Sequence, residues 1–161
     1  NDSKITDAQE REILRIKELV SAGGGNPKNG EKTFTRLCIG CHKMFDKGGV
    51  IGPDLTSYQR NDKGALLMSL VAPGAEIREG YENVIIKTKL GTVHSGFLVQ
   101  NTAKYVAIRE LSGASRMFER EQIKSLASTG VSLMPQGLLN GISDVELKDL
   151  FAYLRSTTPP F

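Results

Sequence analysis

The run Cys38-Ile39-Gly40-Cys41-His42 constrains this chain more than any other feature of its sequence. It holds both cysteines of the 161 residues, so the chain cannot build a disulfide framework. Asn26-Pro27, a cap followed by proline, begins a helical pattern that leads up to the run. The fold must therefore place two thiols and an imidazole together at the end of a helix.

The C-x-x-C-H spacing is typical of covalent haem attachment. Two thiols so spaced can reach the two vinyl groups on one side of a porphyrin, and the next residue, His42, then places its imidazole against the iron. A thioredoxin-like pair would need a βαβ context, which the sequence lacks. A structural zinc site needs four ligands, and the chain has only two cysteines and two histidines. A plain disulfide would leave His42 without a role.

Methionine is a common second axial ligand of cytochrome haem iron. Met134 is the candidate, because Pro135 and Gly137 disfavour a helix around it and leave its loop free to bend over the ring. Of the remaining methionines, Met44 is expected on the His42 side of the ring, Met68 in a helical core and Met117 in a strand. His94 falls on the polar alternation of a strand, which predicts a solvated surface histidine.

Periodicity and capping residues predict helices on both sides of a small sheet. The predicted helices start at Thr6, Asn26, Asp62 and Ser143, and they end near Ser21, Cys38, Ala72 and Pro159. The stretch from Lys47 to Asp54 is expected to be a loop. Alternating runs predict an antiparallel meander, with strands at Glu82–Leu90, Val93–Val99, Tyr105–Glu110 and Ser115–Phe118.

With these pieces assembled, the sequence resembles class I cytochromes c. The matching residues are Gly30, Phe34, the Cys38–His42 motif, Gly52-Pro53-Asp54-Leu55, Met134-Pro135 and Phe151–Arg155. The resemblance implies that the helices on either side cross with Gly30 opposite Tyr153, and that the Pro53 carbonyl accepts the free N–H of His42. It also implies haem contacts at Gly52 and Leu55. Tyr58, just after this loop, is a candidate hydrogen-bond donor to a haem propionate.

A narrower resemblance covers nearly the whole chain from Gly30 onward. It is to the haem-binding cytochrome domain of Planctomycetes and Verrucomicrobia. The residues that carry it are Gly52–Leu55, Pro73 with Ile77, Gly80-Tyr81-Glu82, the Thr88–Gly96 hairpin and Ser132–Leu138. In that family the domain commonly closes a large secreted protein with a dehydrogenase or propeller region. Residues 1–25 are compatible with the stub of such an upstream region.

These observations predict a mainly α cytochrome c fold with an inserted small antiparallel sheet, α+β overall. The expected parts are an N-terminal helix and spacer (1–25), a cytochrome c domain (26–161) and an inserted β subdomain (78–127). A net charge of +3 is too weak and scattered for nucleic-acid binding. No apolar run approaches the roughly 20 residues that a membrane span needs.

The expected function is single-electron transfer by one covalent haem c, without enzymatic activity of its own. The expected partner is a redox protein or an upstream dehydrogenase domain. The expected location is the periplasm or another extracytoplasmic compartment, because haem c is attached outside the cytoplasm. Two alternatives stay open. One is a haem-based gas sensor or peroxidase-like domain with a labile or absent methionine ligand. The other is a non-haem interaction module built on the sheet, with a redox disulfide.

Overall fold

The computed structural model describes residues 5–57, 62–75, 77 and 80–161. The helices in these ranges are α1 (Asp7–Ser21), α2 (Pro27–Leu37), α3 (Lys63–Val71) and α4 (Asp144–Leu154). The strands are β1 (Lys43–Met44), β2 (Lys47–Gly48), β3 (Asn83–Thr88), β4 (Val93–Asn101), β5 (Tyr105–Arg109), β6 (Ser115–Glu119) and β7 (Ile123–Ser128). The chain forms two compact units, residues 1–76 with 135–161 and residues 77–134. The described fold is α+β, and its mainly α character is not confirmed.

Capping residues set the start of each helix. The Thr6 side chain accepts the Gln9 amide and forms a capping box at α1, as Ser143 does with Glu146 at α4. The Asn26 side chain accepts two amides at the start of α2. Because such caps satisfy amides that a helix leaves unpaired, the four predicted helices form within a few residues of their expected bounds. No helix in the described ranges has the length and apolarity to cross a membrane.

Helices α2 and α4 pack closely in the first unit. A Cβ on Gly30 would overlap the Asp149 carbonyl oxygen and lie 2.8 Å from the Tyr153 Cβ, so only glycine permits this approach. The Phe34 and Tyr153 rings meet at 5.3 Å beside it. The buried Asp149 carboxylate accepts the Asn26 amide at 2.7 Å, which links α4 to the residue before α2. The contact between Gly30 and Tyr153 is the one that the family resemblance implies.

The second unit is a five-stranded antiparallel sheet with strand order β6-β5-β4-β3-β7. Strands β3 to β6 form the predicted meander, and β7, a strand that the sequence reading did not separate, returns to pair with β3. The Thr129 amide then donates to the Asn83 carbonyl at 2.9 Å. The core of the sheet is a cluster of aliphatic and aromatic side chains: Val84, Ile86, Val106, Ile108 and Phe118.

His94 is half-buried rather than solvated. It pairs with Ile86 across β3 and β4, so it shares the face of that core residue. Its ring lies 4.9 Å from the Phe118 ring, and its Nε2 is 3.2 Å from the Thr92 hydroxyl. Strand alternation predicts a solvated His94 because the apolar residues on either side of it, Val93 and Phe97, lie on the opposite face of the sheet.

Candidate functional site

The C-x-x-C-H motif forms a tight turn at the C-terminal end of α2. Cys38 caps the helix, and its amide donates to the Phe34 carbonyl at 2.8 Å. The amides of Cys41 and His42 both donate back to the Cys38 carbonyl, at 3.1 and 2.9 Å. The turn therefore brings the two thiols and the imidazole onto one short segment that is anchored to the helix.

The two thiols have different environments, although neither forms a disulfide. Cys38 is buried and Cys41 is exposed. Burial, and to a smaller extent the charge of Cys41, raises the pKa of the Cys38 thiol to about 11. A thiol with a pKa of about 11 is protonated at neutral pH, so Cys38 is a neutral thiol in this structure.

The segment after the motif folds back beneath it. Strands β1 and β2, each of two residues, form an antiparallel hairpin. Strand β2 occupies the start of the stretch from Lys47 to Asp54 that the sequence predicts to be a loop. Three backbone hydrogen bonds of 2.7–2.8 Å then join this segment to the motif and to the residue after it. The Gly49 amide donates to the Ile39 carbonyl, the Gly52 amide to the Cys41 carbonyl and the Leu55 amide to the Lys43 carbonyl. This hydrogen-bonded segment, residues 43–56, is called the cradle below.

The cradle fixes the orientation of the His42 ring. His42 Nδ1 lies 2.8 Å from the Pro53 carbonyl oxygen. Since a carbonyl only accepts, Nδ1 carries a proton and donates it, and Nε2 is the ring nitrogen that remains for a ligand. A Cβ on Gly52 would lie 2.5 Å from His42 Cε1 and 2.7 Å from Nδ1, so no side chain fits between the cradle and the ring. The imidazole is thus held in one orientation, with Nδ1 bonded to the cradle.

A strained turn closes the cradle. Phe45 and Asp46 have φ values of +50° and +65°, a region that side chains other than glycine rarely adopt. The Phe45 amide donates to the Thr56 hydroxyl at 2.8 Å, and the Phe45 ring meets Tyr153 of α4 edge-on at 6.1 Å. These contacts tie the turn both to the end of the cradle and to α4.

The other predicted site residues are placed as follows. Leu55 is half-buried within the cradle, and Tyr58 lies outside the described residues. Met134 is half-buried in the segment 129–143, and its amide donates to the Ser132 hydroxyl at 3.1 Å. Met117 is 60% exposed, so it does not fill a gap in the core. Ligation by Met134 and haem contacts at Gly52, Leu55 and Tyr58 stay predictions.

The residues present fit a covalently attached haem. Two free thiols stand at the spacing of the attachment motif, and the next side chain is an oriented imidazole with a free Nε2. Within the described ranges, no group of three or more His, Cys, Asp or Glu side chains is placed to hold a metal ion. The donor set therefore matches a prosthetic group that brings its own equatorial nitrogens, rather than an all-protein zinc site.

Comparison with known proteins agrees with this geometry. The family model for cytochrome c matches residues 27–158. A search of curated proteins gives no significant match. The chain belongs to the cytochrome c family. It is therefore a haem-binding electron-transfer domain, its cofactor contains iron, and it exchanges electrons with a redox partner.

Proposed function

We propose that this chain is a monohaem c-type cytochrome domain that carries single electrons. Its haem would be tethered by thioether bonds to Cys38 and Cys41, with His42 as one axial ligand. The contact between His42 Nδ1 and the Pro53 carbonyl carries the proposal, because it orients the ring and leaves Nε2 free. The match to the cytochrome c family over residues 27–158 supports it.

The protein's own groups determine how the ligand behaves. When bound, the haem would supply one-electron exchange at its iron. The Pro53 carbonyl fixes the tautomer of His42 and raises the basicity of Nε2, as outer hydrogen-bond partners of metal ligands do. Gly52 allows the backbone to approach the ring, and the hydrogen bonds of the cradle hold that backbone in place. The chain's own backbone therefore holds the imidazole in the orientation that a haem iron would need.

The proposal includes Met134 as the second axial ligand, with Gly52, Leu55 and Tyr58 as further haem contacts. Met134 is half-buried in an irregular segment, and Gly137 beside it has a φ of +78°, which only glycine adopts without strain. With His42 and Met134 both as ligands, a bound haem would offer no position for a substrate. The domain is then an electron carrier and not an enzyme.

The wider setting is proposed from the narrower resemblance. Residues 26–161 form the cytochrome c domain, residues 78–127 are its inserted β subdomain, and residues 1–25 are a helix and spacer. As in the domain of Planctomycetes and Verrucomicrobia, it would accept electrons from a dehydrogenase-like region of a larger secreted protein. Haem c attachment outside the cytoplasm gives a periplasmic location.

The test begins with the full chain, matured in a host that attaches haem c. We expect a mass increase of one haem that survives denaturation, and loss of that adduct when Cys38 and Cys41 are both replaced by serine. A colourless protein without the adduct would refute the proposal and favour the non-haem interaction module.

Met134→Ala tests the second ligand, with Met117→Ala as the matched control because Met117 is exposed on the sheet. In the Met134 variant the reduction potential should fall, the methionine–ferric band in the red should vanish, and ferrous protein should gain carbon monoxide binding. The control should behave as wild type. Rapid, tight carbon monoxide binding by wild type would instead favour the sensor or peroxidase-like alternative, with a labile or absent methionine.

A further inference from the structure

The first unit contains a cavity of about 450 Å³ that the electron-transfer site does not use. Its described lining comes from the end of α1 and the glycine loop after it, the start of α3 and the second half of α4. The lining residues that carry the argument are Val20, Gly23, Lys63, Lys148, Phe151 and Arg155. None of them belongs to the motif or to the cradle, so this is a separate place in the fold.

The charges around the cavity are all of one sign. Lys63, Lys148 and Arg155 line it, and no aspartate or glutamate is among its described lining residues. No ion pair links any of these three cations to another described residue, whereas Arg36, for example, pairs with Glu146 at 2.7 Å. Like charges held around one partly enclosed space repel each other, and an anion in that space would relieve the repulsion.

Part of the lining is apolar. Val20 and Ala152 are half-buried and line the cavity, whereas Phe151 is 1% exposed and offers a ligand almost no surface. The glycine loop leaves open space around it, because a Cβ on Gly23 or Gly24 would meet nothing within 4 Å. The cavity therefore offers a ligand three cationic side chains and a smaller apolar surface.

We infer that this cavity binds a small organic phosphate, with the phosphate between the three cations and the organic part over Val20 and Ala152. A dianionic phosphate balances three positive charges better than a single carboxylate does. The planar guanidinium of Arg155 can donate two parallel hydrogen bonds to phosphate oxygens, and the lysine ammonium groups add point charges.

The experiment is calorimetric titration of the haem-loaded full chain with phenyl phosphate in phosphate-free buffer. We expect saturable binding to one site, with inorganic phosphate binding more weakly because it has no organic part to contact Val20 and Ala152. Lys148→Gln and Arg155→Gln should each weaken phenyl phosphate binding by about tenfold or more, since each removes a charge-assisted hydrogen bond. Lys32→Gln is the matched control, because it removes one exposed helical cation that does not line the cavity. It should leave the affinity unchanged.

Three results would overturn the inference: no saturable binding, equal weakening by Lys32→Gln and Lys148→Gln, or citrate binding as tightly as phenyl phosphate. Far-UV circular dichroism of each variant separates loss of binding from loss of fold. The haem spectrum and reduction potential should not change in the cavity variants, because no proposed haem contact lines the cavity. Failure here therefore leaves the electron-transfer proposal intact.

Discussion

Replacing Gly30 with alanine should destabilise the first unit, although alanine is the better helix former. The new Cβ would overlap the Asp149 carbonyl oxygen and lie 2.5 Å from its carbonyl carbon and 2.8 Å from the Tyr153 Cβ. Overpacking of this kind costs about 1–3 kcal/mol, and two of the three obstructing atoms are backbone, so the upper end applies. Alanine returns about 1 kcal/mol of helix propensity. The expected net loss in the free energy of unfolding is about 2 kcal/mol.

Gly64→Ala in α3 is the matched control for this change. Its Cβ would meet only the Asp62 carboxylate oxygen, at 3.4 Å, which that side chain can accommodate. The same substitution should therefore be neutral or stabilising by up to about 1 kcal/mol. Guanidinium denaturation followed by far-UV circular dichroism gives both values. The packing argument would be refuted if Gly30→Ala stayed within about 0.5 kcal/mol of wild type, or if both variants lost the same stability.

Two further predictions concern the cradle turn and the start of α4. Asp46→Gly should stabilise the fold by about 1 kcal/mol, because it relieves a positive φ of +65° at an exposed position; a loss of stability in urea denaturation would contradict this. Arg36 and the Ser143 amide hold the pKa of the exposed Glu146 carboxyl below its ordinary 4.5. The stabilising contribution of Glu146 is therefore complete above that value and lost as the pH falls through the lower folded-state pKa. Glu146→Gln should flatten this acid limb of stability, as denaturation midpoints measured across pH would show.

The helices were predictable because their signals are local. Thr6 and Ser143 each cap a helix through side chains only a few residues away, and Asn26 does the same before Pro27. The C-x-x-C-H motif is a local signal too, and the haem attachment that its spacing indicates stays a prediction. The strands of the meander also follow a local alternation of apolar and polar residues. That alternation predicts where a strand forms, but it says less about which strand it pairs with.

The features that sequence reading missed depend on contacts distant in the chain. The β1–β2 hairpin turns on Phe45-Asp46, which is not one of the glycine-containing pairs that normally indicate such a turn. It is held by Thr56 and Tyr153, which no local pattern reveals. The half-buried position of His94 likewise follows from its register opposite Ile86. The cations that line the cavity of the first unit come from α3 and α4, so only the folded chain brings them together.

The pairing of β7 with β3 has a consequence for how the chain can be shortened. Val84 faces Ser128 across the two strands, and the Thr129 amide donates to the Asn83 carbonyl, so the polypeptide enters and leaves the sheet at neighbouring points. A deletion that joins residue 82 to residue 130 would therefore remove the whole sheet without stretching the chain on either side of the junction.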